Sequence, residues 1–251
     1  MFLIAGGLPR SGTTTFRRMC NKHPDIFLST EIPVYGVQCH ILDCIRGMQE
    51  GMKKRGMLDE FRAREDRLVR ELLFAANRHR GRLAATRKQF EKAWINGHKT
   101  PTAEVTFAEW EELLGHHELR YVYCLRDSVA CFNSRLRMPW KVMSFDDLLE
   151  KTQTSYRAFL DARERHPDRI FLFRVEEYAA APREVAARVC AFLGVDTGPL
   201  DKMAALGKPN ASAVIGKKQQ LRDRQLTGEE VERLRSDPLI ADVTERFGWK
   251  G

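Results

Sequence analysis

Phe2-Leu3-Ile4-Ala5-Gly6-Gly7-Leu8-Pro9-Arg10-Ser11-Gly12-Thr13-Thr14-Thr15 opens the chain and decides its fold. Phe2–Ala5 is a short apolar run of the kind buried in parallel sheets. A glycine-rich turn follows, then a helical stretch through Cys20. Strand, glycine turn and helix N-terminus in that order present backbone N–H groups to an anion, assisted by the helix dipole. Gly7-x4-Gly12-Thr13-Thr14 has the spacing of a nucleoside-triphosphate loop, GxxxxGK[ST], but Thr13 stands where that loop has lysine. That lysine reaches the β- and γ-phosphates, so an ordinary ATPase or GTPase is disfavoured. Arg10 supplies a cation from inside the loop instead, beside three threonine hydroxyls.

Working outward, Ile26–Leu28, Tyr121–Leu125 and Ile170–Phe173 read as further buried strands, with a fifth, less apolar, near Trp94–Gly97. Leu58, Phe61, Leu68, Leu72 and Ala76 recur at helical spacing. So do Phe145, Leu148, Leu149, Tyr156, Phe159 and Leu160, and then Val185, Val189, Phe192 and Leu193. Strands alternating with long helices predict a P-loop-like parallel sheet with helices on both faces, one α/β domain over residues 1–251. Beyond Gly207 the pattern is a loop, then helices near Thr227–Arg235 and Leu239–Phe247.

Composition narrows the classes. The 251 residues are 43% hydrophobic and 9% aromatic, enough for a buried core and against disorder. No apolar run approaches the ~20 residues of a membrane span, and Met1–Ala5 is too short for a signal-peptide core. Cys20, Cys39, Cys44, Cys124, Cys131 and Cys190 are scattered without a CxxC pair, several within apolar patterns, which predicts reduced, buried thiols in a cytoplasmic protein and neither a disulfide framework nor a zinc site. The net charge is +8, and residues 46–92, with 14 Lys/Arg against 7 Asp/Glu, carry +7 of it. That basic helical insertion is either a solvated face or a wall steering an anionic substrate. It lacks basic–aromatic interleaving, so nucleic acid is not expected.

Three stretches carry a family likeness. Leu8-Pro9-Arg10-Ser11-Gly12-Thr13-Thr14 resembles the 5′-phosphosulfate loop of sulfotransferases that use 3′-phosphoadenosine-5′-phosphosulfate (PAPS). Arg126-Asp127-Ser128-Val129-Ala130-Cys131-Phe132-Asn133-Ser134 resembles their 3′-phosphate motif, with the Arg-x7-Ser spacing met by Arg126 and Ser134. Phe171–Tyr178 with Pro182 and Phe192-Leu193-Gly194 is similar to the elements closing the shared half of that fold. Gly6–Glu31, including His23-Pro24-Asp25, is similar without a gap to the opening of Golgi-type and tyrosylprotein sulfotransferases, whereas residues 32–93 match nothing in the family.

The resemblance implies the sulfotransferase fold and transfer of a sulfuryl group from PAPS to a hydroxyl acceptor, leaving 3′,5′-adenosine bisphosphate (PAP), with no metal. It implies that Arg10, Ser11, Gly12, Thr13, Thr14 and Thr15 bind the 5′-phosphosulfate and that Arg126 and Ser134 bind the 3′-phosphate. A 3′-phosphate brings about −1.5 to −2 charges, which a bidentate arginine suits. Lys99, in Gly97-His98-Lys99-Thr100-Pro101, corresponds to the family's lysine at the transferring group. The late basic segment Lys208–Lys218, with Lys217, is expected to fold over the nucleotide.

The acceptor hydroxyl must lose a proton, so a general base is required. Cytosolic members use a histidine two residues after the lysine, a position held here by Pro101. Golgi-type and tyrosylprotein members use a glutamate after the second strand, which falls on Glu31, and His98 is the runner-up. His23 is expected in a helix-ending turn, and His116 and His117 in a surface turn. The acceptor pocket is expected in 32–93 and 135–150, with Met138 and Trp140 as core residues. A carbohydrate or other small hydroxyl compound is favoured, an anionic glycan, a phenol or a peptide tyrosine all fitting the charge. Two rivals remain: a P-loop kinase or NTPase using Asp127 at a metal, and a non-catalytic nucleotide- or polyanion-binding protein using 46–92.

Overall fold

The computed structural model describes residues 1–32, 37–75, 83–138, 143–206 and 223–248; Trp140 and the whole 208–218 segment, Lys217 included, lie outside them. Five parallel strands, β1 (Phe2–Gly7), β2 (Ile26–Ser29), β3 (Ile95–Lys99), β4 (Leu119–Leu125) and β5 (Ile170–Arg174), lie in the order β2-β3-β1-β4-β5. The expected strands are all present, and β1 and β4 run longer than their apolar stretches suggested.

Side-chain alternation along the central strands builds two cores. Phe2, Ile4, Tyr121 and Tyr123 face one side, packed with Trp110, Tyr156 and Phe159. Leu3, Ala5, Val122 and Cys124 face the other, packed with Phe16, Met19, Val189 and Leu193. Both faces are therefore covered, as an all-parallel sheet requires. Helix α1 (Thr13–Cys20) follows β1; α2 (Cys39–Lys54), α3 (Leu58–Ala75) and α4 (Leu83–Lys92) separate β2 from β3. Then come α5 (Phe107–Leu114), α6 (Ser128–Leu136), α7 (Phe145–Arg165), α8 (Val175–Ala180) and α9 (Pro182–Leu193). The C-terminal helices Gly228–Ser236 and Pro238–Phe247 appear where the spacing predicted them. Ser144 caps α7 in a reciprocal box with Asp147, and Thr227 does the same with Glu230.

Strand β3 is almost fully buried although Asn96, Gly97, His98 and Lys99 are not apolar. Each polar side chain finds a partner: Asn96 Nδ2 donates to Ala93 O at 2.7 Å, and His98 Nδ1 meets Thr100 Oγ1 at 3.1 Å. Lys99 reaches Glu31. The topology brings the C-terminal ends of β3, β1 and β4 side by side, the usual ligand crevice of an open α/β sheet. None of the described helices is long and apolar enough to cross a membrane.

Candidate active site

Gly7 ends β1 at φ 119°, and a side chain there would stand 2.3 Å from Cys124 O, so glycine alone lets the chain turn this close to β4. Gly12 caps α1 at φ 99°. Arg10 lies between them at φ 79°, a left-handed conformation that costs a non-glycine residue about 1 kcal/mol. That turn sends its side chain across to α6, where Nε donates to Ser134 Oγ at 2.9 Å. Arg126, just past β4, donates through Nη1 to Arg10 O at 3.3 Å. Arg10, Arg126 and Ser134, 124 residues apart at their extremes, are thus one cluster. Ser11 and Thr13 are buried, Thr15 is half-buried and Thr14 is exposed.

Lys99 ends β3, and its Nζ donates to Glu31 Oε1 at 2.6 Å. Lys99 is 2% exposed. Burial pulls its ammonium below the usual lysine value, and Glu31 partly restores it. Ile32 N donates to Thr100 Oγ1 at 3.0 Å, which ties the Glu31 segment to the end of β3. His98 points to the opposite face, against Trp110 with ring centroids 5.8 Å apart. Burial lowers its imidazole to about 4. Enclosed and weakly basic, His98 is a poor candidate for the proton acceptor.

Two residues in this crevice escaped sequence reasoning. Arg17 lies one turn beyond Thr13 on α1, in the field of Glu31 and Lys99; the Thr13-to-Arg17 spacing was the available signal. Glu104 is the other. It is 2% exposed and accepts Gly7 N–H at 2.7 Å and the Ser155 hydroxyl, and Ser155 in turn meets Tyr123 Oη at 2.7 Å. Burial pushes its carboxyl up to about 7 against the pull of those donors. No local pattern marks it, because its loop partner is 97 residues away.

The electrostatics are one-sided. Arg10, Arg17, Lys99 and Arg135 are each held below their ordinary values, first by burial. Arg126 further lowers Arg10, and Arg10 lowers Arg135. The buried polar atoms Ser11 Oγ, Arg17 Nε and Arg135 Nε have no hydrogen-bond partner. Crowded cations and orphaned donors around a backbone nest form a site short of negative charge. A cavity of about 440 Å³ opens beside the loop, lined by Leu8, Pro9, Val105, Phe132 and Leu148, with Arg135 on its wall.

The remaining expectations sort themselves. Asp127 is the N-cap of α6, accepting Ala130 N–H at 2.7 Å, which accounts for it without a metal. His23 is fully buried in its turn, with Nε2 3.1 Å from Asp196 O. Met138 is buried, as expected. His116 and His117 lie in a surface turn as expected, His116 exposed and His117 partly so, and their Nε2 atoms also face the buried Glu65. Cys20, Cys124, Cys131 and Cys190 are buried as expected, but Cys39 is half-buried and Cys44 exposed on α2. Burial pushes Cys131 up to about 12 and Cys20 and Cys124 well above their usual range, which makes them poor nucleophiles.

Comparison with known proteins adds a family. The profile of the sulfotransferase family matches residues 3–199. A search of curated proteins returns no match. Among solved structures, the sulfotransferase domain of the Synechococcus PCC 7002 olefin synthase superposes with a TM-score of 0.54 at 18% identity, covering 100% of this chain and 95% of that one. The sulfotransferase domain of the curacin biosynthetic pathway gives 0.55 at 14% identity, covering 99% and 97%. Mouse sulfotransferase SULT7A1, solved with PAP, gives 0.52 at 12% identity, covering 98% and 84%. At these identities the likeness is one of fold.

Proposed function

The chain belongs to the sulfotransferase family, and from that premise we propose that it moves a sulfuryl group from PAPS to a hydroxyl acceptor, with Glu31 as general base. One observation carries the reading: the buried Lys99, the half-buried and mutually repelling Arg10 and Arg126, and orphaned donors converge on the loop after β1. That set fits a ligand with two separate anionic groups. The loop N–H groups, Ser11 and Thr13–Thr15 take the 5′ end, with Arg10 and Lys99 beside it. Arg126 and Ser134 take the 3′-phosphate, a role in which bidentate arginine is well suited.

PAPS supplies an activated sulfuryl group, whose sulfur–oxygen bond to the phosphate breaks as the acceptor oxygen bonds to sulfur. The protein positions the partners and stabilises charge. Arg10, Arg17 and Lys99 face the negative charge that grows on the departing phosphate. Glu31 holds Lys99 through Oε1 and uses its other oxygen to take the acceptor proton. With 59% of its side chain exposed, it is reachable by an incoming hydroxyl. The cavity lined by Leu8, Pro9 and Phe132 receives the apolar or ring portion of the acceptor, a carbohydrate or other small hydroxyl compound. The free thiols suit the cytoplasm.

A kinase-like reading requires a metal-holding acid, and Asp127 is occupied as a helix cap. Competitive binding separates the two. PAP should displace a fluorescent nucleotide at far lower concentration than ATP does, without magnesium. Tighter binding of magnesium–ATP would overturn the proposal.

A further inference from the structure

At the N-terminal end of the central strands, opposite the loop, three ligating side chains converge. Glu65, on α3, is 1% exposed and lies in the segment richest in lysine and arginine. Among the described ion pairs, none of those cations reaches it. Its charged-type partners are His116 and His117, both directing Nε2 at the same oxygen, Oε1, the second from 3.3 Å. Gln49 Nε2 donates to the carboxylate oxygens at 3.1 and 3.4 Å and to Leu113 O at 2.9 Å. Glu65 Oε1 and the two Nε2 atoms lie within 4.8 Å of one another.

Among the described residues, His117 Nε2 is buried without a hydrogen-bond partner although Glu65 Oε1 lies 3.3 Å away. A buried carboxylate that faces two imidazoles and no lysine or arginine is costly unless a cation reaches it. A divalent ion supplies that charge and a partner for His117. Donors about 2.1 Å from a tetrahedral zinc stand roughly 3.4 Å apart. His117 Nε2 already stands 3.3 Å from Oε1, while His116 Nε2, in direct contact with that oxygen, moves back to admit the ion. We propose that Glu65, His116 and His117 bind one zinc-class divalent cation, with water as fourth ligand. Two imidazoles and one carboxylate favour such an ion over magnesium or calcium, which take all-oxygen sets. Gln49 orients the carboxylate from behind, as outer partners of metal ligands do. The histidine side chains are 26% and 18% exposed while that of Glu65 is 0%, so the ion enters past the imidazoles. A second group, His23, Asp25 and Asp196, does not compete: both His23 nitrogens are already engaged, by Asp196 O and Asp25 N.

The ion is structural. It ties α3, and through Gln49 α2, to the turn that feeds β4. His117 also packs edge-on against Phe2 at the start of β1, with centroids 5.6 Å apart. Arg10, Lys99 and Arg126 lie past the C-terminal ends of the strands, so this site is independent of sulfuryl transfer.

The test uses the full chain stripped with chelator and reloaded with zinc chloride. Wild type should bind one zinc per chain by elemental analysis. Its melting midpoint should rise by about 5–10 °C at a hundredfold excess over Kd. Glu65→Gln and His117→Gln should lose both signals. His117→Gln, at a partly exposed turn, keeps the test decisive if Glu65→Gln does not fold. Cobalt in place of zinc should give a spectrum of nitrogen and oxygen ligands without thiolate charge transfer. No stoichiometric zinc in wild type, an equal midpoint rise in His117→Gln, or a thiolate band would each overturn the proposal.

Discussion

Glu31 keeps 59% of its side chain exposed and holds Lys99 Nζ at 2.6 Å. Glu104, beside the same loop, is 2% exposed and accepts from neutral donors, among them Gly7 N–H and the Ser155 hydroxyl. Two carboxylates a short way apart thus have opposite surroundings. The contrast separates chemistry from support. A base must meet substrate, and of these two carboxylates Glu31 is the solvent-open one. Glu104 fills the space beneath the loop: a side chain added at Gly6 would meet its Oε2 at 2.5 Å. It braces the turn from beneath through Gly7 N–H.

The largest expected effect breaks or sharpens that division at Glu31. Glu31→Gln should lower turnover by roughly 10²–10⁴-fold while leaving PAPS affinity and the melting midpoint near wild type. The loss should be smaller for an acidic phenol than for a sugar alcohol, because the phenol ionises unaided. Steady-state kinetics with both acceptors checks this, and equal turnover in mutant and wild type would remove Glu31 as base.

Glu104 should show itself in stability. Its carboxyl titrates near 7 when folded and near 4.5 when unfolded. Between those values the unfolded chain releases its proton first, so stability falls as pH rises, by about 3 kcal/mol in all, and levels above pH 7. Glu104→Gln should flatten that slope, with transfer at pH 8 kept within about tenfold of wild type. Denaturant melts at several pH values decide it, and a slope unchanged in the mutant would assign it elsewhere.

Next comes Arg126. Arg126→Ala should weaken PAPS binding by about 1.5–3 kcal/mol, the worth of a charged hydrogen bond. Deleting the 3′-phosphate from the ligand should hurt wild type far more than the mutant. Titration calorimetry measures both, and equal losses would mean that Arg126 does not touch that phosphate. The smallest effect is none. A chelator should leave transfer intact, since Arg10, Lys99 and the loop N–H groups carry the charge that a divalent ion would. A strict magnesium requirement would count against the sulfotransferase site as drawn.

How much of this was legible in the chain follows from distance along it. The loop, Arg126 and Ser134 lie within short contiguous motifs, and the strand-turn-helix order places them. Strand β3 was faint because burial usually shows as an apolar run, and here Asn96, His98 and Lys99 are buried through specific partners instead. Helix α5 is eight residues long behind a 3-10 turn, too short for its spacing to stand out. Glu104 with Gly7, and Glu65 with His116, join residues 97 and 51 positions apart. Long-range pairing of polar groups leaves no periodic trace, so only the folded chain reveals it. The surface turn of His116 and His117 was legible, but not the buried carboxylate beneath it.

The account stands most directly on group transfer itself. PAPS carrying labelled sulfate, mixed with the wild-type protein and a panel of glycans, phenols and tyrosine peptides, should place label on at least one hydroxyl compound and release PAP in equal amount. Intact PAPS with every acceptor, from protein that binds ATP more tightly than PAP, would contradict it.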